Sequence, residues 1–174
     1  MTKPEPAPFA AILAAPFGAL GVRCGEDWVD EIVFLPPAPE VAPGTPLAAE
    51  TVRQLRAYLA NPDSVFSLPL RAGGTAFQQA VWQQICAIPR GETATYGQVA
   101  ARLGSAARAV GGACRANPLP LVVPCHRVVA TGPSFNGGLG GFAGARRGFL
   151  PGVKHWPLRH EGVIQGDLLG PEAR

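Results

Sequence analysis

The chain has 174 residues, 47% of them hydrophobic and 16% charged, the composition of a folded soluble protein with one ordinary domain or two small ones. No apolar run approaches a membrane span, since Pro16 and Gly18 break the first one, and no basic segment with a cleavage site precedes it; a cytoplasmic location is expected. The net charge of +3 hides an asymmetry: residues 1–74 hold five Lys/Arg against eight Asp/Glu, a net −3, and residues 75–174 hold ten against four, a net +6, so the C-terminal part is the candidate for meeting a polyanion.

In chain order, residues 9–35 alternate β-prone runs with turn residues. Phe9–Ala15, Leu20–Cys24 and Trp28–Leu35 are separated by Pro16-Phe17-Gly18 and Gly25-Glu26-Asp27, which predicts an antiparallel meander. Pro36, Pro37, Pro39, Pro43 and Pro46 exclude helix and central strand, so a loop follows. Thr45 is placed to cap a helix whose first position is Pro46, with Leu47, Val52, Leu55, Tyr58 and Leu59 largely on one face before Asn61-Pro62. Val65–Leu70 has the composition to return as a strand.

A second unit begins at Thr75, where Thr75-x-x-Gln78 has capping-box spacing and Phe77, Val81, Trp82 and Ile85 form an apolar face ending by Pro89. Thr95-x-x-Gln98 repeats the signature and opens a short helix to Gly104. Ser105 is then expected to cap a further helix from Ala106 to about Arg115, before Asn117-Pro118. Two short helices joined at a Gly-Ser corner suggest a helix-turn-helix. Beyond the proline-rich loop there is neither repeat nor low-complexity tract.

Chemistry concentrates near Pro124-Cys125-His126-Arg127-Val128-Val129. A thiolate is a strong nucleophile near neutral pH, and His126 and Arg127 beside Cys125 favour its ionised form. A Cys-His pair alone is more often a packed thiol beside an imidazole. Cys24, Cys86, Cys114 and Cys125 contain no Cys-x-x-Cys, and His126, His155 and His160 do not combine with them at zinc-finger spacing, so neither a disulfide framework nor a metal site is indicated.

Along the helix of residues 106–115, Ala106, Ala107, Ala109, Gly111, Gly112 and Ala113 leave almost no side chain around Arg108. Helix propensity does not ask for two adjacent glycines; such a bare surface admits either a neighbouring element or a nucleic-acid minor groove, with the arginine able to fill a gap in the base stack. Tyr96, at the preceding helix start, is either a phosphate-facing residue or a core aromatic. Glu161, following His160, either orients an imidazole elsewhere or faces solvent.

Together these features resemble the O6-alkylguanine-DNA alkyltransferases, also called methylated-DNA–protein-cysteine methyltransferases. The resemblance runs through Phe77-Gln78-x-x-Val81-Trp82, Ile88-Pro89-x-Gly91-Glu92-Thr93-x-Thr95-Tyr96, Ala107-Arg108-Ala109-Val110-Gly111, Asn117-Pro118, the Pro124–Val129 motif, Gly141-Phe142-Ala143-Gly144 and His160-Glu161-Gly162. It covers nearly all of residues 75–163.

The resemblance implies an α/β (α+β) fold: an N-terminal antiparallel-sheet domain with a helix over residues 1–74, and a mostly helical winged-helix/helix-turn-helix domain over 75–174 that binds DNA and accepts the alkyl group. It implies catalytic roles for Cys125, His126, Glu161 and Asn117. His126 would deprotonate Cys125 through a water, Glu161 would orient His126, and Asn117 would brace the motif through backbone hydrogen bonds. A bridging water fits the further expectation that adjacent residues of an extended segment point apart. Substrate contacts would come from Tyr96, Arg108, Phe142, Ala143 and Gly144, and DNA contacts from Thr95, Tyr96, Ala106, Ala107, Arg108, Ala109, Gly111 and Arg115. The implied partner is double-stranded DNA containing O6-alkylguanine, bound by a monomer with no membrane, metal or cofactor. Cooperative assembly along DNA is left open.

Three departures stand out. Residues 130–138 and 145–152 are longer than the family's connections, and Pro157 falls where relatives continue a helix toward His-Glu-Gly, predicting a late start or a kink. Two other readings remain at this point: a lesion-binding regulator without chemistry, against which Cys125 argues, and a Cys-His acyl hydrolase, which lacks an oxyanion-hole signature.

Overall fold

The computed structural model describes residues 4–130 and 149–163, and it divides into two compact units, Met1–Ala72 and Gly73–Arg174. In the first unit, the predicted meander forms as β1 (Ala11–Ala15), β2 (Gly18–Cys24) and β3 (Val29–Leu35), antiparallel in the order β1-β2-β3. Leu13 pairs with Leu20, and Leu20 with Phe34, so the alternating apolar residues share a face. These side chains are buried, as are Ala48, Val52, Leu55 and Tyr58 of α1 (Pro46–Ala60). Thr45 caps α1 by accepting from the Ala48 amide, and the helix ends at Asn61 before Pro62.

Both sheet edges are occupied. Within the proline-rich segment, Val41 exchanges two backbone hydrogen bonds with Ile12 on the β1 side. Residues 65–70 do not form the expected strand: Leu70 alone makes a bridge to Val29, with Pro69 and Arg71 supplying its two hydrogen bonds. Pro69 has no amide to donate, which prevents a longer ladder. Single bridges of this kind still block edge-to-edge pairing with another chain.

The second unit is built on two capping boxes. Thr75 and Gln78 cap α2 (Ala76–Cys86) reciprocally, and Thr95 and Gln98 do the same for α3 (Tyr96–Arg102). Buried Val81, Trp82 and Ile85 of α2 join Val99 and Ala100 of α3 and Val110, Ala113 and Cys114 of α4 (Ala107–Arg115) in the core. The Trp82 indole N–H donates to the Ala113 carbonyl at 2.9 Å, fixing α4 against α2.

Ser105 is not the cap of α4. Its amide bonds back to the Ala100 carbonyl and, with Gly104 at φ +61°, ends α3; Ala106 occupies the α4 cap position with no side-chain hydrogen bond. A two-stranded parallel pair, β4 (Ala94–Thr95) with β5 (Val128–Val129), ties the start of α3 to the cysteine motif. Finally, α5 (Phe149–His160) buries Val153, Lys154 and Leu158. It begins inside the segment expected as an insertion and continues through Pro157.

Candidate active site

The apolar run before the motif is a strained turn. Leu121, buried, has φ +71°, a conformation rarely taken by a branched side chain and costing about 1–3 kcal/mol. The Val123 amide closes the turn onto the Leu119 carbonyl at 2.8 Å. Asn117 brackets it from outside: its Nδ2 donates to the Val123 carbonyl and its Oδ1 accepts from the Leu119 amide, both at 2.9 Å. A single amide side chain thus holds both ends of the turn that delivers Cys125.

Cys125–Arg127 is one turn of 3-10 helix, closed by the Arg127 amide on the Pro124 carbonyl, rather than the extended segment expected. The clamped turn at 119–123 bends the chain before it reaches the motif. Successive side chains still diverge on a 3-10 turn, so Cys125 and His126 leave the backbone in different directions. Cys125 is 6% exposed. Burial raises the thiol's pKa, opposed by a hydrogen bond from Asn117, by the Lys154 charge and by the cysteine's own amide.

His126 is fully buried, and its Nε2 lies 2.8 Å from Glu161 Oε1. Burial holds the imidazole pKa below its ordinary value, although the Glu161 hydrogen bond and charge pull the other way. Burial would also raise the Glu161 pKa, but hydrogen bonds from His126 and Arg127 outweigh it and bring the carboxyl down to about 2. An ionised carboxylate only accepts, so Nε2 of the neutral ring carries the proton and Nδ1 is left as the acceptor. Among the described residues nothing hydrogen-bonds His126 Nδ1. The arrangement is a neutral base with a free lone pair in the interior, on the residue that follows a buried thiol.

Pro157 does not displace Glu161. The Glu161 amide bonds to the Pro157 carbonyl at 2.9 Å, so the residue that removes one donor from the helix supplies an acceptor one turn later.

Sequence reasoning missed Lys154. It is 1% exposed, donates to the Val128 carbonyl at 2.8 Å, and lies 3.4 Å from the Tyr96 hydroxyl. Burial lowers its pKa to about 8, against the pull of Cys125 and Cys114. Nothing in a lysine followed by His155-Trp156-Pro157 marks it as interior; the available signal was its place on the apolar side of α5 with Val153 and Leu158.

Tyr96 is the first residue of α3 and half-buried, and burial raises its hydroxyl pKa. It therefore belongs to the polar cluster around Lys154 as well as to a helix start. Cys114, on the buried side of α4, has its thiol pushed up to about 12 by burial first and then by the neighbouring Cys125.

The candidate DNA contacts form a different kind of surface. Ala106, Ala107, Arg108, Ala109 and Arg115 are exposed, Thr95 and Gly111 partly so. A Cβ at Gly112 would meet nothing within 4 Å, and one at Gly111 only the Tyr96 ring at 4.0 Å. Among the described residues, packing does not account for these two glycines. Phe142, Ala143 and Gly144 lie outside the described residues, as do residues 131–138 and 145–148 of the longer connections.

Residues 76–163 match the family described as 6-O-methylguanine DNA methyltransferase, DNA binding domain. The chain is 46% identical over 125 residues to a constitutive methylated-DNA–protein-cysteine methyltransferase of Bacillus subtilis, spanning 70% of this chain and 71% of that protein. It is 48% identical over 109 residues to the regulatory protein ada of Salmonella typhimurium, which covers 62% of this chain but only 31% of that longer protein. In three dimensions it resembles a Mycobacterium tuberculosis OGT crystallised in complex with DNA, with a TM-score of 0.70, 32% identity, and coverage of 87% of this chain and 91% of that one.

Proposed function

Because the chain belongs to the methylated-DNA–protein-cysteine methyltransferase family, we propose that it repairs DNA by transferring the alkyl group of O6-alkylguanine, and of O4-alkylthymine, irreversibly to its own Cys125. The observation that carries this reading is the buried series Cys125, His126, Glu161, in which an ionised carboxylate leaves His126 Nδ1 as an acceptor with no partner among the described residues.

The resting thiol is protonated at neutral pH because burial disfavours its charge, so transfer needs a base. His126 Nδ1 takes the proton through one water, and Glu161 stabilises the resulting imidazolium through Nε2. Lys154 is the nearby cation that favours the thiolate. The Cys125 sulfur then forms a bond to the alkyl carbon, the bond from that carbon to O6 breaks with its electron pair going to the purine, and the released guanine ends with the proton that began on the thiol. A thioether is a very poor leaving group and no second nucleophile is assigned to remove it, so each chain acts once and needs no cofactor.

A sulfur this enclosed cannot meet O6 inside a base pair, so the nucleotide leaves the stack at a cost of a few kcal/mol. The bare exposed surface of α4 lies along the minor groove, and Arg108 occupies the vacated gap, where its planar cation can stack and hydrogen-bond the orphaned base. Tyr96, at the start of α3, turns the target phosphate and contacts the base, and substrate contacts are also assigned to Phe142, Ala143 and Gly144. The second unit carries both DNA binding and the acceptor, and the protein acts as a monomer.

The decisive experiment is mass spectrometry after incubation with duplex DNA containing O6-methylguanine. One CH2 gained per chain, mapped to Cys125 and missing in Cys125→Ala, is the expected result. Tight lesion binding without transfer would instead indicate a sensor, and repeated turnover without DNA a hydrolase.

A further inference from the structure

Arg127 stands in the motif between the base and β5, and its side chain is spent on neither thiol nor solvent. Its Nε donates to Glu161 Oε2 and its Nη2 to Glu161 Oε1, both at 3.0 Å, a bidentate fork on the carboxylate that His126 also engages. Its remaining nitrogen, Nη1, donates to the Ile88 carbonyl at 2.8 Å. The guanidinium side chain is 13% exposed, whereas the carboxylate is fully enclosed. The loop that offers Ile88 also passes the Glu161 backbone: a Cβ built on Gly91, at φ +84°, would lie 3.6 Å from the Glu161 carbonyl oxygen, an ordinary contact distance. The Arg127 guanidinium therefore ties the Glu161 carboxylate to the Ile88 backbone, two segments distant from each other in sequence.

A fully enclosed carboxylate without a cation takes up a proton and becomes a donor, and a protonated Glu161 would no longer dictate which imidazole nitrogen holds the hydrogen. The facing charged and titratable groups are Arg127 and His126 for Glu161, and Glu161, Arg127 and Lys154 for His126. Of these, only Arg127 contributes a permanent charge to the carboxylate, and the fork sets its plane as well as its ionisation. We infer that Arg127 is the positioning residue that holds Glu161 as an oriented carboxylate against His126 and thereby keeps the proton on Nε2 and the lone pair on Nδ1. Its part in alkyl transfer rests on the function proposed above. Lysine, a point charge, can replace the charge and not the fork.

The test compares wild type, Arg127→Lys and Arg127→Gln by single-turnover methyl transfer, on duplex and on free O6-methylguanine base, across roughly the neutral to alkaline range where imidazole and thiol titrate. Arg127→Gln is expected to slow transfer about tenfold to a hundredfold at neutral pH on both substrates, the loss expected when a charge-assisted hydrogen bond is removed. The deficit relative to wild type should shrink as pH rises, because the carboxyl that lost its cation ionises again. Arg127→Lys should fall between, and it keeps the question open to measurement should the glutamine variant fold poorly. In parallel, 15N NMR of His126 should show the Nε2-protonated ring in wild type and a mixture with Nδ1-protonated ring in Arg127→Gln. A deficit constant with pH, or an unchanged tautomer, would overturn the inference and make Arg127 a structural tie. A wild-type protein that transfers no methyl group sinks the proposed function instead, and the NMR comparison alone then decides the role of Arg127.

Discussion

Two regions of the C-terminal unit use their residues in opposite ways. Around Glu161 the described polar groups bind one another: the carboxylate receives donors from His126 and Arg127, and Asn117 occupies both ends of a strained turn. At the start of α4, by contrast, four exposed residues carry three methyl groups and one arginine, and a glycine nearby faces open space. The first region is braced within the protein and leaves the His126 Nδ1 lone pair without a partner among the described residues, as suits a site whose atoms must stay within a few tenths of an ångström of a reacting position. The second is unfinished within the protein. On the proposed function, this is the face laid against DNA.

If this contrast is right, variants in the two regions should separate by substrate. The largest effect belongs to Cys125→Ala, which should abolish methyl transfer to protein on duplex and free base alike, read by intact mass. Next is Glu161→Gln, expected to slow single-turnover transfer about a hundredfold, the usual scale for loss of an organised general base, and by the same factor on both substrates. A larger loss on duplex than on free base would show that the buried region also serves DNA binding. Arg108→Ala should do the reverse, slowing repair of duplex about tenfold while leaving the free-base reaction unchanged; equal losses would make Arg108 a structural residue and dissolve the contrast.

A smaller effect concerns stability against acid. The Glu161 carboxyl falls from 4.5 to about 2 on folding, so its contribution, at most roughly 3 kcal/mol, is complete above the unfolded pKa and is lost as pH falls from there through the folded value. Urea titrations of wild type and Glu161→Gln at successive pH values should therefore converge as the solution is acidified. A stability gap that stays constant would mean that the carboxylate's charge is not what the fold uses. Smallest in energy but simplest to measure is salt: DNA affinity should fall steeply with ionic strength for wild type and less steeply for Arg108→Ala.

Local signals in the sequence led to local structure. Thr75 with Gln78 and Thr95 with Gln98 specify helix starts at positions the structure reproduces, because a capping box is settled within four residues. The meander was equally legible, since each strand ends at its own turn residues. Ser105 misled for the same local reason: a serine before a helix looks like a cap, yet the competing bond of its amide to Ala100 closes the previous helix first. Residues 65–70 had strand composition, but pairing beyond Leu70 would have needed a donor that Pro69 lacks. The site was legible only through recognition of motif residues. No periodicity links Arg127 to a carboxylate 34 positions away, or places the Lys154 ammonium next to Tyr96. Such contacts depend on how α5 packs against β5 and the 3-10 turn, which is tertiary information.

The missing cap on α4 has an engineering consequence. Ala106 leaves the first amides of the helix without a side-chain acceptor, in a position where serine or aspartate would stabilise the fold by about 1 kcal/mol. A stability-guided redesign would make that change early. It would occupy amides on the face proposed to meet DNA and, with aspartate, add a negative charge beside Arg108. Thermal robustness and affinity for damaged duplex should therefore pull this one position in opposite directions, and screening for the first would erode the second.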